Sequence, residues 1–290
     1  MRPCSSPTDH RAFLVGLRQR LLGHLGAIAR ERDPYRSPGG HSEVKHYILR
    51  ELAKHGAVKA HDFDHMGRAH QNLVLDLPGE QDRGFILVGA HYDAVPGSPG
   101  ADDNGTAVAV LLELARAFAE APPRRPVRLV AFDLEETDRL GSRAYARDLR
   151  QEAEPVALMI ALEMLGYRDA RPGSQRYPPG LRFFYPDRGD FIGLIGNMRT
   201  LPAMWRLARR MRKAVPCEFL PVPWRGRMLQ DTRRSDHASF WDLGYPAIMV
   251  TDTANMRNPH YHQASDRIET LDLDFLTAVC DGLIAGLASL

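Results

Sequence analysis

The chain has few cysteines, no long apolar run and no marked excess of charge of either sign. Its three cysteines, Cys4, Cys217 and Cys280, are far apart in 290 residues, which excludes a cysteine zinc site and a disulfide framework. No stretch approaches the roughly 18 apolar residues of a membrane span, and no apolar segment of a signal peptide follows the start. The 38 basic and 36 acidic residues leave a net charge of +2, which argues against nucleic-acid binding. These absences predict a globular protein of the cytoplasm.

Short apolar runs alternate with helical patterns along the sequence. Strands are predicted at 72–76, 85–89, 127–132, 156–162 and 246–250, and helices at 13–28, 41–52, 105–118, 143–149 and 273–287. Strand–helix alternation with nearly continuous apolar strands predicts an α/β fold. We expect a single domain over 1–290, with a mixed, mostly parallel central sheet flanked by helices on both faces as a three-layer sandwich.

Two segments depart from this pattern. Residues 1–10 are predicted to be a flexible tail. Residues 169–188 are rich in Arg, Pro, Gly and Tyr and lack periodicity, which indicates a long loop near the site. That loop is either a lid or a plain surface insertion, and the residues alone leave both open. On the helical pattern at 105–118 and just beyond it, Glu113 and Glu120 are predicted to lie on a solvated face.

Side chains that bind metals follow several of the predicted strands. They are two imidazoles and three carboxylates, namely His91, Asp102, Glu136, Glu163 and His262. Because ligands gather at the carboxyl ends of parallel strands, we expect these side chains to meet at one edge of the sheet. Imidazole and carboxylate ligands suit zinc, and a bridging carboxylate suits a pair of zinc ions.

The expected arrangement divides these ligands between two ions that share Asp102. One ion takes His91 and Glu163 as well, and the other takes Glu136 and His262. Glycines flank Asp102 and let the backbone turn tightly there. Two Zn²⁺ ions carry four positive charges, and the three carboxylates neutralise three of them. The remaining positive charge would hold a hydroxide.

Two further carboxylates are predicted to act beside the metals. Glu135 precedes the ligand Glu136, and neighbours in an extended or turn segment point in different directions. Glu135 is therefore the candidate general base, which takes a proton from water and passes it to the leaving amine. Asp93, two residues after His91, is expected to accept a hydrogen bond from the imidazole nitrogen that does not bind metal. Asp236 and His237 are expected to shape the far wall of the site.

Six motifs in order along the chain resemble the M28 family of zinc peptidases, over roughly residues 40–290. They are His91-Tyr92-Asp93, Gly100-Ala101-Asp102-Asp103-Asn104-Gly105, Phe132-Asp133-Leu134-Glu135-Glu136 with Gly141-Ser142, Leu162-Glu163-Met164-Leu165-Gly166-Tyr167, Ser235-Asp236-His237, and Tyr261-His262 with Asp266.

The resemblance implies a mixed sheet between helices and removal of N-terminal residues from peptides by two zinc ions. It places the metal ligands and the base Glu135 at the positions assigned above. It also implies a cis peptide bond between Asp102 and Asp103. Many members of the family carry Asp where this chain has Glu163. The longer side chain of Glu163 can alter the distances within the metal site that it forms with His91.

The same metal chemistry serves several substrates. The leading expectation is an aminopeptidase acting on peptide or aminoacyl substrates, with cobalt or manganese as possible substitutes for zinc. A carboxypeptidase or deacylase would use the same two-zinc site. A glutaminyl-cyclase-like transferase with one zinc, or a non-catalytic binding protein, could be built on the same fold.

Overall fold

The computed structural model describes residues 7–81 and 83–290, which form one eight-stranded mixed sheet covered by helices. The strands are β1 (Val58–His65), β2 (Arg68–Leu77), β3 (Phe85–His91), β4 (Val127–Phe132), β5 (Val156–Glu163), β6 (Ile192–Asn197), β7 (Cys217–Val222) and β8 (Ala247–Thr251). Their spatial order is β1-β2-β4-β3-β5-β8-β6-β7. The four central strands, β4, β3, β5 and β8, run parallel, whereas β2 and β6 pair antiparallel with that centre.

Helices cover both faces of the sheet. They are α1 (Pro7–Ile28), α2 (Pro38–Ala53), α3 (Ala107–Glu120), α4 (Leu140–Gln151), α5 (Leu201–Met211), α6 (His237–Asp242) and α7 (Leu273–Leu287). The larger core lies between the sheet and α1, α2, α3, α5 and α7, and the smaller core lies under α4 and α6. Among the described residues, no helix is both long and apolar enough to cross a bilayer.

The central strands are apolar without interruption because both of their faces are buried. In β3, Ile86 and Val88 point into the larger core, whereas Phe85 and Leu87 point into the smaller one. Successive side chains of a strand face opposite sides, so a strand covered on both sides needs apolar residues at every position. This burial explains why the sequence pattern predicts these strands well.

The predicted fold class is confirmed, and the sheet is wider than expected. All five predicted strands form, and β1, β6 and β7 add to them. The strand β1 is an edge strand whose side chains are exposed or half-buried, so it lacks an apolar run. The strand β6 contains Gly193 and Gly196, and these glycines break the apolar pattern by which a strand is predicted from sequence.

One expectation from the sequence stays a prediction and another is wrong. The flexible tail was expected over residues 1–10; α1 begins at Pro7, so residues 7–10 are helical, and residues 1–6 lie outside the described part of the chain. Glu113 was expected in solvent, but it is 1% exposed because α1 packs over that face of α3. Its carboxylate accepts hydrogen bonds from Arg20 and Arg116, at 3.0 Å and 3.1 Å.

The segment 169–188 contains a single short 3₁₀ turn at Leu181–Phe183 and no strand. An antiparallel bridge between Asp169 and Gly189 closes its base. The buried Arg257 lies inside that base, where its Nε donates to Gln175 Oε1 at 2.9 Å. The segment is thus fastened to the body of the protein at its root.

Candidate metal centre

The predicted site residues meet at the carboxyl edge of the parallel strands. His91 is the last residue of β3 and Glu163 is the last residue of β5. Glu135 and Glu136 lie in the connection from β4 to α4, and His262 lies in the connection from β8 to α7. Residues that are far apart in the sequence therefore share one small region, as the parallel topology requires.

Asp103 lies between the two imidazoles. Its Oδ1 is 3.4 Å from His91 Nε2, and its Oδ2 is 3.2 Å from His262 Nε2. Glu136 Oε2 is 3.3 Å from the same nitrogen of His262, and Glu163 Oε2 is 3.8 Å from His91 Nε2. One carboxylate therefore presents an oxygen to each of two groups of ligand atoms, which is the geometry of a bridging ligand.

The structure turns the side chain of Asp103 toward the two imidazoles, where the sequence led us to expect Asp102, and the expectation of Asp102 is corrected accordingly. The Asp102 side chain turns inward, where Oδ1 accepts from Gly166 N at 2.9 Å and from Thr106 Oγ1 at 3.0 Å. Its Oδ2 accepts from Asn258 Nδ2 at 2.8 Å. Asp102 thus secures the turn from within. The cis peptide bond is also one residue later than expected, between Asp103 and Asn104.

Hydrogen bonds to two other parts of the chain hold the turn at Asp103 in place. The carboxylate of Asp266 accepts the backbone N–H groups of Asp102 and Asp103, at 2.9 Å and 3.0 Å. The amide of Asn104 bonds to the backbone on both sides of Glu163, donating to Leu162 O and accepting from Met164 N. The turn is therefore tied both to the segment that carries His262 and to the end of β5.

Asp93 connects His91 to the acidic pair. Its Oδ1 and Oδ2 accept the backbone N–H groups of Glu135 and Glu136, both at 3.1 Å. His91 Nδ1 is 3.4 Å from Asp93 Oδ1 and 3.3 Å from the Asp93 carbonyl oxygen. Both neighbours are acceptors, so a proton on Nδ1 satisfies them and leaves the lone pair on Nε2. The role expected for Asp93 is compatible with these contacts, and the anchoring of the acidic pair adds a second one.

The motif at 235–237 forms the wall beside Glu163. Ser235 Oγ donates to Glu163 Oε2 at 2.7 Å and so orients that carboxylate. His237 is buried, and its Nε2 lies 2.8 Å from the carbonyl oxygen of Thr232. Burial lowers the pKa of His237 to about 3, so this imidazole stays neutral. It packs edge-on against Trp241, as a structural histidine does.

The protonation of the cluster follows from its crowded carboxylates. Burial by itself would lower the pKa of His262. The neighbouring carboxylates of Asp103 and Glu136 outweigh burial and raise this pKa to about 10. Burial likewise opposes the charged form of His91, and the carboxylates of Asp103, Asp93 and Glu163 outweigh it and raise that pKa well above its usual value. Burial and the charge of Asp103 raise the pKa of Glu136 to about 7. The cluster thus favours added positive charge.

The donor set fits a metal ion. Ligand atoms of His91, Asp103 and Glu136 all lie within 4.8 Å of one another. Within the described chain, four atoms of the cluster are buried without a hydrogen-bond partner: His91 Nε2, Asp103 Oδ2, Glu136 Oε1 and His262 Nε2. Buried polar atoms are rarely left unpaired, so a cluster of them facing one point calls for a ligand. Nitrogen and carboxylate donors are those that zinc prefers when cysteine is absent.

A cavity of about 110 Å³ opens beside Glu163 and Tyr261. Its walls come from β6, β7, β8 and the segment 169–188. Phe191, Leu194 and Met249 are among its apolar lining residues. The long loop therefore contributes to the cavity next to the candidate metal centre.

Sequence reasoning assigned no role to Asp266 and Asp133, which support the centre from outside it, although both belong to the motifs that resemble the M28 family. Asp266 lies four residues after His262, but nothing in the sequence links its carboxylate to Asp103. Asp133 is buried in the motif that precedes Glu135, and it is 2.8 Å from His41 Nε2 and 3.1 Å from His70 Nδ1. These contacts join residues between 63 and 164 positions apart, so only the folded chain reveals them.

The chain is similar to known peptidases in sequence and in structure. It is 38% identical over 253 residues to the uncharacterized protein YfbL of Escherichia coli, covering 82% of this chain and 77% of that protein. It is 42% identical over 201 residues to aminopeptidase YwaD of Bacillus subtilis, covering 68% of this chain and only 39% of that enzyme. The structure of BSAP, a zinc aminopeptidase from Bacillus subtilis, superposes with a TM-score of 0.55 at 25% identity, covering 76% of this chain and 50% of that one. The model of peptidase family M28 matches residues 72–286, and the chain therefore belongs to that family.

Proposed function

We propose that this protein is a zinc-dependent aminopeptidase that binds two metal ions. The observation that carries the proposal is the position of Asp103, whose two carboxylate oxygens each face the unpaired Nε2 of a buried or half-buried histidine. A carboxylate shared in this way is what a pair of ions requires. The names of the curated relatives support the peptidase assignment, although the chain spans well under two thirds of the aminopeptidase YwaD.

The ligands would divide between two ions on either side of Asp103. His91 and Glu163 would complete the site on one side, and Glu136 and His262 would complete it on the other. Zinc bound there supplies Lewis acidity, which polarises a carbonyl group and makes water a better nucleophile near neutral pH.

Glu135 is the group that we propose moves the proton. Its Oε2 is 3.9 Å from His91 Nε2, so its carboxylate borders the ligand atoms. Burial raises the pKa of Glu135 well above its usual value, and the charges of Glu163 and Glu136 raise it further against the opposing effect of His91. A carboxylate with a raised pKa is suited to accept a proton from water and return it to the leaving amine. Asp93 fixes the backbone of Glu135 and so keeps this carboxylate at the centre.

We propose that the cavity beside Glu163 receives the first side chain of a peptide. Its lining is predominantly apolar, which favours large apolar residues at that position. The segment 169–188 would then form a fixed wall of the specificity pocket, because Arg257 and Gln175 fasten its base. The cytoplasmic location expected from the sequence stays a prediction.

The test is a peptide digest read by mass spectrometry, with the native protein and Glu135→Gln loaded with zinc. We expect stepwise loss of residues from free amino ends by the native protein, fastest for large apolar first residues. Glu135→Gln should bind the same amount of zinc and lose at least about 10²-fold in rate, the usual contribution of a general base. Full activity of that variant would contradict the role of Glu135.

The same peptide library separates the aminopeptidase from enzymes with related chemistry. Loss of ammonia from peptides that begin with glutamine would indicate a cyclase. Cleavage at the carboxyl end, or of peptides with a blocked amino end, would retain the metal centre and overturn the aminopeptidase assignment.

A further inference from the structure

A fully buried arginine lies under the turn that carries Asp103. Arg32 follows α1, and its side chain is 0% exposed. Its three guanidinium nitrogens donate to six backbone carbonyl oxygens, which belong to Ile28, Arg30, Tyr92, Pro99, Gly100 and Asp103. A buried guanidinium is costly unless its donors are paired, so these contacts account for its presence in the interior.

The bonded carbonyls belong to the segments that deliver two of the proposed ligands. Nε donates at 2.8 Å to Tyr92 O, directly after His91. Nη2 donates at 2.8 Å to Gly100 O and at 3.1 Å to Asp103 O. These two carbonyl groups lie at the start and in the middle of the turn that carries Asp103. One rigid, planar group therefore spans the end of β3 and the turn, and it relates the position of His91 to that of Asp103.

The charge of Arg32 acts on the same region. Its positive charge interacts favourably with Asp103, Asp266, Asp93 and Glu136. The direct hydrogen bonds of the guanidinium go to carbonyl groups, so the charge offsets part of the negative charge of the cluster without occupying the ligand oxygens. A lysine would keep the charge but has three donors on a flexible stem, and it cannot reproduce the planar fork.

Gly100 shows how closely the turn and the guanidinium fit together. Its φ is +57°, and a Cβ atom there would overlap the carbonyl oxygen of Asp103. The same Cβ would lie 2.7 Å and 2.8 Å from Nη2 and Nη1 of Arg32. A side chain at Gly100 would therefore push the turn and the arginine apart.

We infer that Arg32 is a positioning residue of the metal centre, which sets the spacing between His91 and the bridging carboxylate of Asp103. This inference rests on the proposed two-metal function, and it adds a residue 71 positions before Asp103 that acts through the backbone carbonyls of the segments that carry the ligands. Residues that orient metal ligands change metal affinity by about 10–100-fold when they are replaced.

The test measures zinc affinity by competition with a chromophoric chelator, and ligand geometry by the absorption spectrum of the cobalt-loaded protein. Arg32→Lys is compared with Glu113→Gln, which disturbs a buried ion cluster that packs against α1 away from the centre. We expect Arg32→Lys to bind at least one zinc ion about 10–100-fold more weakly and to change the cobalt spectrum. Glu113→Gln should lower the melting temperature and leave both metal readouts unchanged.

The possible outcomes distinguish a failure of the role inferred for Arg32 from a failure of the proposed two-metal function. Native zinc affinity and a native cobalt spectrum in Arg32→Lys, with only a lower melting temperature, would overturn the positioning role and leave the proposed function intact. A native protein that binds no zinc would overturn both. If Arg32→Lys does not fold, Gly100→Ala disturbs the same contacts with the arginine retained. It should show the same loss of affinity, and unchanged affinity there would also overturn the inference.

Discussion

The adjacent carboxylates Asp102 and Asp103 offer the sharpest test of the proposed centre. Both are buried, both lie in the same turn, and both become an amide of nearly the same size on substitution by Asn. Only Asp103 faces the imidazoles of His91 and His262. Asp103→Asn and Asp102→Asn therefore form a matched pair that differs in the direction of one side chain.

The expected magnitudes follow from the contacts of each side chain. Asp103→Asn removes the charge shared by both ligand groups, so we expect a loss of zinc affinity beyond the about 10–100-fold seen for outer partners of a metal site. Asp102→Asn keeps an oxygen for Gly166 and Thr106 but turns an N–H group toward the Asn258 amide. One unmade buried hydrogen bond costs about 1–3 kcal/mol, which lowers the melting temperature by several degrees.

Zinc content after dialysis and peptide turnover are measured for both variants, with thermal melting to compare stability. Asp103→Asn should lose zinc and turnover together, and Asp102→Asn should bind zinc and cleave peptides while melting at a lower temperature. The opposite pattern, with zinc lost from Asp102→Asn and retained by Asp103→Asn, would refute the assignment of the bridge.

Two further predictions concern stability. Burial raises the pKa of Glu113, but His24, Arg20 and Arg116 lower it more, to about 2. A pKa lowered from 4.5 to about 2 corresponds to about 3 kcal/mol of stability, which is present above pH 4.5 and lost as the pH falls toward 2. Denaturant titrations should therefore find Glu113→Gln less stable at pH 7 and nearly equal to the native protein near pH 2; equal stability at pH 7 would contradict this cluster. Zinc should raise the melting temperature of chelator-treated protein, since a roughly 1,000-fold excess over Kd adds about 4 kcal/mol, and an unchanged temperature would count against a folded-state metal site.

The parallel centre of the sheet could be predicted because each of its strands is apolar along its whole length. That prediction also brought His91, Glu136 and Glu163 to one edge, since parallel strands present their carboxyl ends together. The edge strand β1 could not be predicted in this way, because its half-exposed side chains leave no apolar run. Glu113 was misplaced because a helical pattern does not reveal that another helix, α1, will cover an acidic face.

Local sequence determined the types of ligand, their order and the strand ends that carry them. It could not decide between Asp102 and Asp103, because two neighbouring acidic residues in one turn have the same composition and nearly the same spacing. The tertiary structure decides, since the path of the backbone through Asp103 and the hydrogen bonds from Asp266 direct one carboxylate to the imidazoles and the other into the core. The contacts of Arg32 were likewise decided by the tertiary structure and not by local sequence. Four of its six carbonyl partners lie between 60 and 71 positions further along the chain, and only folding brings them around one guanidinium.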